Sequence, residues 1–385
     1  MQYRNFGKLD LKVSALGFGA MRLPTKEIKG AGNRLDSNID EDEAIKMIRH
    51  AIDNGVNYVD TAYGYHGGQS EVLTGKALQD GYRNKTMLAT KSPVWFIKKP
   101  EDFDRLLDEQ LGKLQTHYVD FYLLHAIGRN SWRNIVLKHD VLQRAEAAKK
   151  AGKIKYLGFS FHDGLDAFKE IVDGYDKWDF CQIQYNYMDI ENQAGTEGLK
   201  YAASKGLGVV IMEPLLGGRL ARPPKDIKAI FDEGGSGRSP ADWGLEWLWN
   251  QPEVSVVLSG MSTLEQVEEN ILSADRSGIG KFSLNELDII ERVRMKYNER
   301  AAIPCTGCNY CMPCPNDVNI PRNFSLYNDG VIHEDIEGAA VSYNNFFNES
   351  NRADKCVDCR ICEDKCPQTI PISQWLQKVN ETLRK

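Results

Sequence analysis

Strand-forming and helix-forming stretches alternate along this chain with a regularity that leaves few folds open. Residues 40–55, DEDEAIKMIRHAIDNG, set Ala44, Ile45, Met47, Ile48, Ala51 and Ile52 on one side of a helix, with Asp40 and Glu43 as a capping-box-like start and Gly55 as the stop. The β-prone run VNYVDTA follows. The same order recurs in EDFDRLLDEQLGKL and HYVDFYLLH, VLQRAEAAKKAGK and KYLGFSF, GLDAFKEIVDGY and DFCQIQYN, TEGLKYAASKG and LGVVIMEP, and SPADWGLEWLWNQP and VSVVLSG. With SALGFGAM near residue 15 and MLATKS at residue 87, eight candidate strands are separated by helical segments. Such alternation implies parallel strands, and eight units over about 250 residues have the size of a closed (β/α)8 TIM barrel. An open doubly wound sheet is the alternative. Against it, the only early glycine cluster, GFGAM, does not lead directly into a helix, so the glycine-rich dinucleotide turn is missing. QYRNF and LKVS, on either side of GKLD, read as a small hairpin ahead of the barrel.

A barrel of this kind carries its function at the C-terminal ends of its strands. Asp60 ends NYVD, Lys91 ends MLATK, His125 ends FYLLH, Ser160 ends LGFS, Gln184 and Asn186 end CQIQYN, and Glu213 ends VVIME. Asp60, Lys91 and His125, at the ends of three successive strands, converge on one spot at the mouth. A lysine there is costly to desolvate without a carboxylate beside it, and Asp60 is its natural partner. Taken singly, each of these residues also fits a structural ion pair or a hydrogen-bonded core histidine.

The stretch DTAYGYHGGQSE, residues 60–71, resembles the aldo-keto reductases, whose motif places a catalytic Tyr five residues after the Asp and a Glu six residues after the Tyr. That spacing selects Tyr65, between Asp60 and Glu71; Tyr63 is the competitor and reads as packing. Lys91 and His125 fall where the family places the rest of its tetrad. The resemblance implies NADP or NAD as hydride carrier and a small carbonyl or alcohol as substrate. A phenol of pKa about 10 is a poor acid near neutrality, and a neighbouring ammonium lowers that pKa. Tyr65 is therefore expected to donate the proton, Lys91 to tune it, Asp60 to hold Lys91, and His125 to orient the substrate oxygen. The resemblance further assigns Ser160, Gln184 and Asn186 to the nicotinamide carboxamide and Tyr185 to stacking on its ring. It also matches LSGMSTLEQVEEN to the adenosine side, through Gly260, Ser262, Gln266, Glu269 and Asn270. Where many members grip the 2′-phosphate of NADPH with Lys and Arg, this chain has Gly260 and Gln266, so NADH stays open. Ser262 and the backbone N–H groups starting TLEQVEENI offer another seat for a phosphate.

Eight of the nine cysteines lie beyond residue 300, in two runs, while Cys181 sits alone in an apolar segment and reads as core. CVDCRICEDKCP, Cys356–Pro367, is the C-x2-C-x2-C-x3-C-P run of bacterial ferredoxins; CTGCNYCMPCP, Cys305–Pro315, differs only in its last gap. Structural zinc is the alternative, but zinc sites use separated C-x-x-C pairs. Two runs fit two [4Fe–4S] clusters. By the ferredoxin rule, in which the fourth cysteine serves the other cluster, Cys305, Cys308, Cys311 and Cys366 hold one and Cys356, Cys359, Cys362 and Cys314 the other. The chain as a whole resembles aldo-keto reductases with a C-terminal ferredoxin-like domain, α+β or mostly helical, and the expected division is 1–299 and 300–385.

A formal charge of −6 with no basic stripe argues against nucleic acid. The apolar runs are too short for a bilayer and the N-terminus lacks an apolar signal region, so a cytoplasmic protein is expected. Three functions compete: a nicotinamide oxidoreductase whose clusters exchange electrons with a protein partner, a carbonyl reductase with structural clusters, and a redox-sensing barrel without turnover. The complete tetrad argues against the last.

Overall fold

The computed structural model describes residues 1–26, 38–235 and 237–384. The chain divides into two compact units: Met1–Ala221 with Arg238–Ser283, and Arg222–Gly237 with Leu284–Lys385.

The first unit opens with an antiparallel hairpin, β1 (Tyr3–Phe6) and β2 (Leu9–Ser14), pairing Tyr3 with Ser14 and Arg4 with Val13. The barrel strands follow: β3 (Leu16–Gly19), β4 (Tyr58–Asp60), β5 (Met87–Ser92), β6 (Val119–Ile127), β7 (Ile154–Phe161), β8 (Phe180–Gln184), β9 (Gly208–Met212) and β10 (Val256–Ser259). They close as β10-β3-β4-β5-β6-β7-β8-β9, with β10 parallel to both β3 and β9. The eight strands expected from the alternation are these eight, and their runs are apolar because helices cover the sheet outside while side chains fill it inside.

The hairpin delivers Phe6 to the barrel interior. Its ring, fully buried, lies 4.8 Å from that of Phe121 and 5.7 Å from that of Phe180. Burying a phenylalanine contributes about 1.5–3 kcal/mol. The close approach is made possible by Gly208, where a Cβ would come within 2.5 Å of the Phe6 ring. Along β8 the faces alternate: Phe180 packs with Phe6 inside, whereas Cys181 and Ile183 join the large core between sheet and helices, as expected for Cys181. The first expected helix spans Glu41–Asp53, with the Asp40 side chain accepting from the Glu43 backbone N–H and Gly55 in the left-handed region (φ 94°).

The second unit is built, among the described residues, from helices and loops without strands, so the mostly helical form of the expected fold is the one present. Helices Ile320–Ile332, Ile336–Asn345 and Ile372–Leu383 bury Phe324, Tyr343, Leu376 and Val379 around Ile303 and Val318. The unit also takes in helix Leu284–Glu299 and helix Lys225–Asp232, a segment from between β9 and β10. Arg300 joins them, donating to Asp226 at 2.7 Å and to Glu334 at 2.8 Å, while Arg292 reaches Glu233 at 2.6 Å. The 299/300 division expected from the sequence therefore falls inside this unit. Among the described residues no helix is long and apolar enough to cross a membrane.

Candidate active site

At the C-terminal end of the barrel, Asp60 closes β4 and Lys91 lies on β5, both almost fully buried. The Lys91 ammonium donates to Asp60 Oδ1 at 2.5 Å, to the Thr61 carbonyl at 2.8 Å and to the Tyr65 hydroxyl at 3.3 Å. Its three N–H groups thus have three acceptors. Tyr65 begins the turn after β4, and its ring stands edge-on to His125 of β6 at 6.2 Å. The four residues expected to form one constellation are brought together. Tyr63, in contrast, packs edge-on against Phe96 and under the Lys113 ammonium, 3.9 Å from its ring centre.

Strained backbone aims these groups. The residues just after Tyr65, His125 and Met212 are His66, Ala126 and Glu213, with φ of 50°, 51° and 53°. Non-glycine residues in this region carry strain of order 1–3 kcal/mol, and such positions cluster where geometry serves function. The β6–β7 register shifts between Leu124 and Ile127, the bulge that re-aims His125.

Burial opposes the charge on Lys91, but Asp60 and Tyr65 outweigh it and hold the ammonium above its ordinary range. The expected lowering of Tyr65 is reversed: burial raises its hydroxyl more than Lys91 lowers it, so the phenol keeps its proton at neutrality. For His125, burial first, then Lys91 and His162, bring the pKa down to about 3. The imidazole is neutral and its Nδ1 has no hydrogen-bond partner. Such a ring can donate a hydrogen bond to a substrate oxygen but is not an acid. Trp95, 5.2 Å from the His125 ring and 46% exposed, flanks the mouth with Phe96, 48% exposed. Trp132, after β6, is buried against Trp178.

The remaining cofactor candidates separate into groups. Ser160 Oγ accepts from the Ala126 N–H at 2.8 Å and keeps its own proton to donate. Gln184 is tied to Asp189 at 2.8 Å and to Gln193 at 3.0 Å. Asn186 staples its own loop, its Oδ1 accepting from the Met188 and Asp189 N–H groups. Tyr185 does not face the mouth: its ring is buried among the outer helices beside Trp247, and its hydroxyl meets Thr196 and Gln251. With Gln184 directed inward, the two-residue period of a strand turns Tyr185 outward, which removes it as a stacking residue.

On the far side of the mouth, Thr263 caps helix Leu264–Arg276, the Ser262 N–H donates to Gln266 Oε1 at 2.8 Å, and Asn270 donates to Ser259. Gln266 and Glu269 are exposed. Arg22, just beyond β3, was not singled out in the sequence. Its stem lies against Gly260, its carbonyl accepts from Ser262 Oγ at 2.8 Å, and its guanidinium stands 3.8 Å from Glu213. A cation directly after GFGAM was its only sequence signal.

In the second unit, Cys305, Cys308, Cys311 and Cys366 line one apolar cavity with Ile320, Phe324, Ile370 and Ile372. Four thiols and no carboxylate around an apolar space suit a thiolate-ligated inorganic core. Cys314 and Cys359 neighbour Cys356, which in turn neighbours Cys362. Burial raises the thiols of Cys305, Cys311 and Cys356, and that of Cys362 to about 11, so metal binding here must displace protons. Among the described residues no three His, Cys, Asp or Glu side chains converge on a single ion.

Residues 15–292 match the model of the aldo/keto reductase family, and residues 304–370 match that of a 4Fe-4S dicluster domain. The chain is similar to an L-galactose dehydrogenase of Arabidopsis thaliana, 29% identical over 312 residues that cover 75% of this chain and 94% of the relative. It is similar to an NADH-specific methylglyoxal reductase of Escherichia coli, 25% identical over 69% of this chain and 91% of that one. In fold it resembles an aldo-keto reductase from Klebsiella pneumoniae solved in complex with NADPH, with a TM-score of 0.60 at 24% identity over 76% of this chain and 96% of that structure.

Proposed function

This chain belongs to the aldo/keto reductase family, with a C-terminal 4Fe-4S dicluster domain, and on that premise we propose that it interconverts a small carbonyl compound and its alcohol using NADP or NAD, with Tyr65 as proton donor and acceptor. The observation that carries the reading is the Lys91 ammonium shared between Asp60 and the Tyr65 hydroxyl, beside a neutral His125.

The mouth offers what a nicotinamide dinucleotide needs: the Ser160 hydroxyl proton and Gln184 near the tetrad, and at the other end the start of helix Leu264–Arg276 with Ser262 and Arg22. The nicotinamide, when bound, supplies or receives the hydride. His125 donates to the substrate oxygen and fixes its direction. Tyr65 gives that oxygen its proton, and the phenolate that develops faces Lys91. Asp60 keeps Lys91 charged and in place. Trp95 and Phe96 form an apolar wall that selects substrates of limited polarity. Oxidation of an alcohol runs through the same groups in reverse.

In the second unit, Cys305, Cys308, Cys311 and Cys366 would hold one [4Fe–4S] cluster and Cys314, Cys356, Cys359 and Cys362 another. Each would pass one electron at a time, so the hydride step is the work of the barrel residues alone. The role proposed for the clusters is one-electron exchange with an electron-transfer protein. Eight thiolate ligands suit a reducing compartment such as the cytoplasm.

The test is a carbonyl panel assayed with NADPH and NADH, with EPR of the anaerobic protein under the same conditions. Substrate-dependent oxidation of the nicotinamide supports the reductase reading. A reduced-cluster signal supports electron exchange, and turnover with a silent spectrum favours structural clusters.

A further inference from the structure

Glu71 belongs to the motif that selects Tyr65, yet it touches none of the reacting groups. It is fully buried at the start of helix Gln69–Ala77, and a buried carboxyl is costly unless its oxygens are bonded. Glu71 Oε1 accepts from Thr90 Oγ1 at 2.6 Å and from Gln110 Nε2 at 2.5 Å. Its Oε2 has no hydrogen-bond partner, and the nearest cation, Lys113, stands 3.9 Å away. An ordinary core site of this shape would be satisfied by an apolar side chain.

Gln110 explains the arrangement. It is fully buried on helix Glu101–Lys113, where Phe103, Leu106, Leu107 and Leu111 form the apolar inner face. Its Oε1 accepts from the Tyr122 hydroxyl at 2.8 Å, and its Nε2 donates to the backbone carbonyl of Lys91 at 3.0 Å. That carbonyl needs a donor. On the same edge of β5, the Ala89 carbonyl takes the Thr61 N–H at 3.0 Å, but β4 ends at Asp60. Two residues further on, the Lys91 carbonyl points past the end of its neighbouring strand. The Gln110 amide stands in for the missing strand. Glu71, which as a carboxylate only accepts, and Tyr122, which donates, fix which end of that amide faces Lys91.

We propose that Glu71 and Gln110 are positioning residues that hold the backbone at Lys91, and through it place the ammonium between Asp60 and Tyr65. The inference rests on the tetrad reading above. Displacing a reacting group by about 1 Å costs on the order of 100-fold in rate, so the effect belongs in kcat.

The experiment compares Glu71→Leu, Gln110→Leu and Glu71→Gln with wild type, in thermal melts, cofactor titrations and steady-state kinetics. In the folded Leu variants kcat falls by about 10–100-fold while KM and cofactor Kd stay within about twofold. Glu71→Gln, which keeps an acceptor oxygen for Gln110 and Thr90, recovers most of the kcat lost in Glu71→Leu. Should the Leu variants fail to fold, Tyr122→Phe removes one of the two groups that orient the amide, and a smaller drop in kcat at unchanged KM is expected. Unchanged kcat in folded variants overturns the proposal. So does a loss spread equally over kcat, KM and cofactor binding that Glu71→Gln does not recover. Tyr65→Phe in the same series separates this inference from its premise. Abolished turnover there, with unchanged kcat in Glu71→Leu, refutes the positioning role alone; retained turnover in Tyr65→Phe removes the premise and the inference with it.

Discussion

The Lys91 ammonium lies 3.3 Å from the Tyr65 hydroxyl while it holds Asp60 Oδ1 at 2.5 Å, so one buried cation serves a carboxylate and a phenol at once. The arrangement keeps the phenol protonated at rest yet ready to give up its proton. Burial lifts the Tyr65 pKa, and the same ammonium stabilises the phenolate once it forms.

Asp60→Asn should destabilise the protein and slow it together. Lys91 and Asp60 are both nearly inaccessible, and breaking a buried pair by removing one partner costs about 3–5 kcal/mol. Lys91 then loses the contact that raises its pKa. Urea unfolding at pH 7 and kcat on the same preparation check both effects.

His125 should stay neutral well into acid. Its folded-state pKa of about 3 lies below the ordinary 6.5, so between those values the unfolded chain binds more protons. The stability linked to a neutral His125 is present above about pH 6.5 and is lost as the pH falls toward 3. An imidazole NMR titration checks this, and kcat/KM should show no limb near 6.5 from this residue.

Arg22→Ala should weaken NADPH more than NADH. Its stem lies against Gly260 and its carbonyl accepts from Ser262 Oγ, beside the place proposed for a 2′-phosphate, and charge-assisted hydrogen bonds contribute about 1.5–3 kcal/mol. Fluorescence titration should find a Kd for NADPH raised about 10–100-fold. Equal weakening of both cofactors would place Arg22 away from that phosphate.

The anaerobic protein should carry about eight irons per chain. Cys366→Ser should abolish the cluster of Cys305, Cys308 and Cys311, and Cys314→Ser that of Cys356, Cys359 and Cys362, leaving about four irons in each case. Loss of both clusters from either single change would contradict the two sets.

The barrel was legible because buried parallel strands read as short apolar runs between one-sided helices, and the motif around Tyr65 located the tetrad within it. Tyr185 was misread although the same pattern contained the answer: once Gln184 faces inward, its neighbour cannot. Gln110 left a faint mark, one amide on an otherwise apolar helix face. Arg22 left almost none, since it meets Gly260 and Ser262 only through a contact spanning some 240 positions of chain. The Tyr65 shift could not be read at all, because the opposing effects of burial and Lys91 depend on depth in the barrel. Helix Lys225–Asp232 likewise joins the second unit through Arg300, a pairing that no local pattern encodes.

Single-turnover reduction of a carbonyl substrate by Tyr65→Phe, with the nicotinamide prebound, tests the central claim most directly. The Tyr65 hydroxyl is the only difference, and general acid catalysis contributes about 10²–10⁴-fold. Hydride transfer slowed by that factor, with cofactor Kd unchanged, is the expected result; transfer at a rate close to wild type would show that the proton comes from elsewhere and that the shared Lys91 ammonium serves structure alone.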